Sequence, residues 1–102
     1  MASPKPLQRL SHSLTFGNIW LSALSLMKKR KVYAYALPSE IKKRFGFEPG
    51  KLMTYLVLYK LEGEGLISSA MEGRRKYYRL TPTGARALQE AKSVLSSLSK
   101  KL

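Results

Sequence analysis

The stretch Leu61-Glu62-Gly63-Glu64-Gly65-Leu66-Ile67, followed by Glu72-Gly73-Arg74-Arg75-Lys76-Tyr77-Tyr78-Arg79-Leu80-Thr81-Pro82, constrains this chain more than any other. It predicts a helix stopped by glycine, a strand, a tight turn around Glu72-Gly73, and a second strand. Four cations fall within the six residues from Arg74 to Arg79. Alternation along the second strand sends Tyr78 and Leu80 to one side, and Tyr77 and Arg79 to the other. A hairpin this basic, directly behind a helix, suits nucleic-acid phosphates. Its bland alternative is a solvated hairpin tip.

The balance of charge points the same way. Nineteen Lys and Arg stand against six acids, a formal net charge of +13. Such an excess favours densely anionic partners: DNA, RNA or an anionic membrane surface. The membrane is the weakest of these, because the cations sit on a folded hairpin rather than along an amphipathic stripe. No window approaches the roughly 18 apolar residues that a membrane span requires. Cysteine is absent, which excludes disulfides and thiolate metal sites and is compatible with a reducing, cytoplasmic location. No cofactor or metal is expected: His12 is the sole histidine, and the serines near the C-terminus have no histidine base beside them. An enzyme is not expected.

Residues 1–13 hold two prolines and little pattern, and are expected to form a flexible arm. From Leu14 to Met27 the apolar residues fit a largely buried helix, closed by Lys28-Lys29-Arg30-Lys31 at the negative end of its dipole. Val32–Leu37 is short and β-leaning. Pro38-Ser39-Glu40 begins a short helix ending at Gly46, and Pro49 opens a longer one reaching Glu62 or Glu64. Thr81-Pro82 is an N-cap followed by proline at the first helical position. In the closing helix Gly84, Leu88, Ala91, Leu95, Leu98 and Leu102 keep heptad spacing. That seam is too short for an independent coiled coil, so it docks on its own domain or on a second copy.

The order helix, helix–turn–helix, two-stranded wing and long closing helix is that of a winged helix, an α+β fold occupying residues 14–102 as one domain. Within that class the chain resembles the PadR-like transcriptional regulators, and more loosely the MarR-type regulators. The resemblance runs from about Ile19 to Leu98. Its most specific part is the string matched by Leu61–Ile67 and Glu72–Gly84, joined by the aromatic-small-aromatic tract Tyr33-Ala34-Tyr35. It implies a homodimer that binds double-stranded DNA as a transcriptional regulator. The closing helix, and often the first helix, would build the dimer, involving Trp20, Leu88, Ala91, Leu95, Leu98 and Leu102. The chain departs from the family at Pro49-Gly50, which lies two residues upstream of the usual Pro-Gly-Thr-Leu-Tyr start. The large C-terminal effector-binding region of longer members is unmatched, so the resemblance does not extend to a built-in ligand sensor.

Aligned on the family, the helix after Pro49 buries Thr54, Leu58 and Leu61. Tyr55, Tyr59 and Lys60 then face the groove, with Lys51 at the N-terminal end. The residues themselves leave a second possibility open: Leu52, Tyr55, Leu56 and Tyr59 form an equally apolar stripe, and a helix apolar on two faces is often buried on both. Expected DNA contacts are therefore Lys42, Lys43, Lys51, Tyr55, Tyr59, Lys60, Arg74, Arg75, Lys76 and Arg79. No Arg, Asn or Gln lies between Phe45 and Arg74, so the bidentate base contacts that discriminate sequence are scarce. Selectivity would then come from DNA shape or half-site spacing. A winged helix that binds RNA or ribosomes, or one that serves as a protein-interaction module, are the other functions compatible with the sequence.

Overall fold

The computed structural model describes residues 3–102; Met1 and Ala2, which the expected arm included, lie outside the described residues. The chain runs α1 (Lys5–Leu14), a short 3-10 turn, α2 (Ile19–Leu26), β1 (Val32–Tyr33), a second 3-10 turn over Ala34–Ala36, and α3 (Leu37–Phe45). Then come α4 (Lys51–Gly63), β2 (Ile67–Glu72), β3 (Arg75–Leu80) and α5 (Pro82–Lys101). The three strands form one antiparallel sheet in the order β1-β3-β2. This is the α+β winged-helix architecture.

The core lies where α2, α3, α4 and the inner sheet face meet. Leu24, Leu37, Ile41, Thr54, Leu58 and Ile67 are its largest fully buried side chains. Each element contributes by its own period. Along β3, Tyr78 is buried and Leu80 half-buried, while Arg79 stays exposed, as period-two alternation requires. Along α4, Thr54, Leu58 and Leu61 recur at helical spacing and are all buried. Thr54 resolves its own polarity by donating its hydroxyl to the Gly50 carbonyl at 2.8 Å, so its buried hydroxyl is not left unpaired.

Local chemistry fixes the joints. The wing turns through Gly73 and Arg74 alone, because Glu72 already pairs with Arg75. Gly73 has φ +65° and no non-glycine residue among the described residues has positive φ, as suits a two-residue hairpin with glycine first. Thr81 binds two elements at once. Its hydroxyl accepts from the Gly84 N–H at 3.0 Å and donates to the Gly65 carbonyl at 2.6 Å, tying the start of α5 to the end of α4.

Three expectations differ from the structure. Residues 5–13 of the expected flexible arm are helical, forming α1 together with Leu14. Pro4 and Pro6 fall at the N-cap and first turn of that helix, where proline needs no hydrogen-bond donor. Its apolar residues Leu7, Leu10 and Leu14 keep helical spacing on one face yet are all exposed. The helix expected from Leu14 starts instead at Ile19, after a separate turn over Phe16–Asn18. Finally, α4 begins at Lys51 with Gly50 as N-cap, so Pro49 precedes the helix rather than opening it.

Candidate nucleic-acid interface

Tyrosines and cations lock together between the start of α4 and the wing. Lys51, in the first turn of α4, lies 4.8 Å from the Tyr35 ring centroid and donates to its hydroxyl at 3.2 Å. Tyr35 stands 6.1 Å from Tyr33, and Tyr33 stands 5.7 Å from Tyr77 on β3. The Arg75 guanidinium covers Tyr33 at 5.0 Å, and the Lys31 ammonium covers Tyr77 at 4.6 Å. Pairing of Tyr33 with Tyr77 across β1 and β3 sets this arrangement. A cation over an aromatic face gains roughly 0.5–1 kcal/mol at exposed sites, enough to bias its position without removing its charge.

One acid stands among these cations. Glu72 accepts from Lys31 and lies 3.6 Å from Arg79. Its side chain is 40% exposed, so the pairs are surface pairs and weak. Among the described residues Arg74, Arg75, Lys76 and Lys51 pair with no carboxylate. The wing cations are not all on one side, however. Arg75 and Arg79 share the Tyr77 face, Arg74 occupies the turn, and Lys76 lies across the strand with its ammonium 5.3 Å from the Tyr78 ring.

The two possible apolar faces of α4 are now distinguished. Thr54, Leu58 and Leu61 face inward, whereas Leu52, Tyr55, Leu56 and Tyr59 are exposed. Lys60 is exposed too, but it lines a separate groove with Phe16, Trp20, Met53 and Val57, away from the Lys51–Tyr35 contact. Lys42 and Lys43 are exposed on α3. Of the ten expected contact residues, Lys51, Arg75 and Arg79 are thus joined into one surface, with Tyr33, Tyr35, Tyr77 and Lys31 as members that charge reasoning missed. The alternation Tyr33-Ala34-Tyr35, with Ala34 buried between two outward rings, was the available signal.

A second basic cluster sits apart from this surface. The like charge of the neighbouring Lys92 on α5 holds Lys28 below the ordinary lysine range. Slight desolvation and the charges of Lys29 and Arg44 add to the effect. Arg30 is engaged with Glu40 at 2.9 Å. Nothing in the cluster requires burial.

The residues expected at a dimer seam divide. Leu88 is buried in the core of its own domain, because α5 packs on α2 and β3; it is unavailable to a second copy. Trp20, Ala91 and Leu95 line a groove with Leu14, Leu21 and Val94. Leu98 and Leu102 project beyond the domain and are exposed. No helix is long and apolar enough to cross a membrane among the described residues.

Comparison with known proteins places the chain. No curated protein matches it. Solved structures do. A PadR family transcription regulator from Clostridium difficile R20291 is 27% identical, with a TM-score of 0.76 over 81% of this chain and 92% of its own. A PadR family transcriptional regulator from Eggerthella lenta DSM 2243 is also 27% identical, with a TM-score of 0.77 over 93% and 87%. Bacillus subtilis PadR, solved in complex with operator DNA, is 26% identical with a TM-score of 0.62, over 71% of this chain and 45% of that one. Residues 23–90 match the model of the transcriptional regulator PadR-like family. That span carries the helix–turn–helix, the tyrosine ladder and the wing, and the chain belongs to the PadR-like family of transcriptional regulators.

Proposed function

We propose that this regulator works as a homodimer on duplex DNA, with α4 in the major groove and the wing gripping the flanking minor groove. The observation that carries the reading is the surface running from Lys51 through Tyr35 and Tyr33 to Arg75, which joins the first turn of α4 to the wing. Unpaired cations at both ends can meet phosphates while the rings between them offer sugar and base contacts. Arg74, at the wing turn, has the reach to enter a narrow minor groove, where the potential is most negative. Bacillus subtilis PadR, a relative solved in complex with operator DNA, supports duplex DNA as the partner. A dimer contacting six to eight phosphates gives a slope of log K against log[salt] of roughly −5 to −7. Absence of duplex binding at low salt overturns the reading.

Glu72 offers a second test with the opposite sign. Its carboxylate lowers the local potential and engages Lys31 and Arg79. Glu72→Gln frees both cations, so DNA affinity rises, by less than about fivefold because exposed ion pairs are worth up to about 1 kcal/mol. Fluorescence anisotropy on one duplex across a salt series reads the change; weaker binding by the variant contradicts the placement of this face on DNA.

The groove holding Trp20, Ala91 and Leu95, and the projecting Leu98 and Leu102, supply an apolar surface for the second copy. Leu95→Glu combined with Leu98→Glu places two charges in that seam and yields a folded monomer by sedimentation. Both side chains are exposed within the protomer, so the fold itself is not disturbed. A variant that remains dimeric shows association through another face.

A further inference from the structure

The outermost line of α4 is apolar, and neither phosphate binding nor the core explains it. Leu52 is 74% exposed, Leu56 47% and Tyr59 77%, spaced four and three residues apart so that they project in one direction. Helix α4 carries no Arg, Asn or Gln, the side chains that pair with guanine and adenine edges. Its acids do not reach this line: Glu62 accepts from Ser69 at 2.5 Å, and Glu64 follows the helix as its C-cap.

We infer that Leu52 and Leu56 read thymine, packing against C5-methyl groups in the major groove, with Tyr59 closing the same line. This rests on the proposal that α4 enters that groove. In the major groove thymine is the one base presenting an apolar group; the remaining edges are donors and acceptors. A leucine pressed against those edges strips water from polar groups and returns no hydrogen bond. Against a methyl group it buries apolar surface on both sides. The surroundings favour DNA as the occupant over a protein. Cations flank the stripe at Lys51 and Lys60, and Lys51, next to Leu52 in the chain, also meets Tyr35 on the surface leading to Arg75. A protein partner for a leucine stripe would have to accept the same flanking positive charge.

The test uses the full chain and the duplexes it enriches from random DNA, each remade with deoxyuridine replacing thymine, which deletes only the methyl. Expected is enrichment of fixed thymine positions, and weaker binding of the uracil form by about fourfold for each contacted methyl. Leu52→Ala weakens binding of the thymine form and shrinks the thymine-to-uracil ratio towards one, a double-mutant cycle between side chain and methyl. Equal affinity for both forms, or a ratio untouched in both Leu52→Ala and Leu56→Ala, overturns the inference while leaving DNA binding intact. So does duplex binding without enrichment of any sequence, which would leave the stripe for a protein. Failure to bind any duplex at low salt overturns the DNA reading and this inference with it.

Discussion

Exchanging Arg74, Arg75 and Lys76 together for alanine lowers affinity for duplex DNA at least tenfold and flattens its salt dependence. These three side chains form no carboxylate pair among the described residues, so their charge is fully available to an external polyanion. Their placement follows from the short turn: Gly73 and Arg74 alone connect the strands, which holds the three ammonium and guanidinium groups within about one Debye length of each other. Arg75 is further restrained over Tyr33, so less conformational freedom is lost when it docks. Each phosphate contact removed takes about 0.9 from the magnitude of the salt slope. The slope therefore separates phosphate contact from indirect damage to the fold, which would lower affinity at all salt concentrations alike. All three residues are exposed, and thermal unfolding of the variant should remain within a few degrees of the parent. A slope equal to the parent's would remove the wing from the interface.

The wing was legible in the sequence because its determinants are local. Gly73 sets the turn, β alternation sets which side chains face inward, and Thr81-Pro82 starts the next helix without reference to anything distant. Helix α4 was legible only in part. Its pattern offers two apolar stripes, and the structure buries the one containing a threonine while exposing Leu52 and Leu56. No hydropathy argument selects Thr54 over Leu52; the choice belongs to the packing of α2, α3 and the sheet, together with the Gly50 carbonyl that satisfies the threonine hydroxyl. Family resemblance supplied what periodicity lacked. Helix α1 went unread for the opposite reason. It buries none of its residues, and its prolines look like breakers unless their position in the first turn is known. The tyrosine ladder needed the β1–β3 pairing, a contact spanning more than forty residues of sequence, before Tyr33 and Tyr77 could be seen as neighbours.

Gly84→Ala should destabilise the domain by roughly 3 kcal/mol or more, beyond ordinary overpacking of a core. A methyl group there would lie 1.9 Å from the Leu66 carbonyl oxygen and 2.8 Å from Cδ1 of Leu80. The leucine side chain can rotate away, but the carbonyl cannot. It accepts from the Thr81 N–H at 3.1 Å and sits in the segment leading into β2. Relief requires α5 to lift off the sheet, which breaks the Thr81 contacts with Gly65 and Gly84 and opens Leu88 to water. Helix propensity acts in the other direction, favouring alanine over glycine by about 1 kcal/mol in a helix. The sign of the result therefore reports directly on the close approach. At about 4–8 °C per kcal/mol for a domain of this size, the melting temperature falls by at least about 12 °C. Gly63→Ala, at the end of α4 with nothing within 4 Å of the added methyl, is the control and should be neutral or slightly stabilising. A Gly84→Ala protein that melts within about 2 °C of the parent would mean that α5 does not rest on the Leu66 backbone, and the position of the proposed dimer seam would have to be redrawn with it.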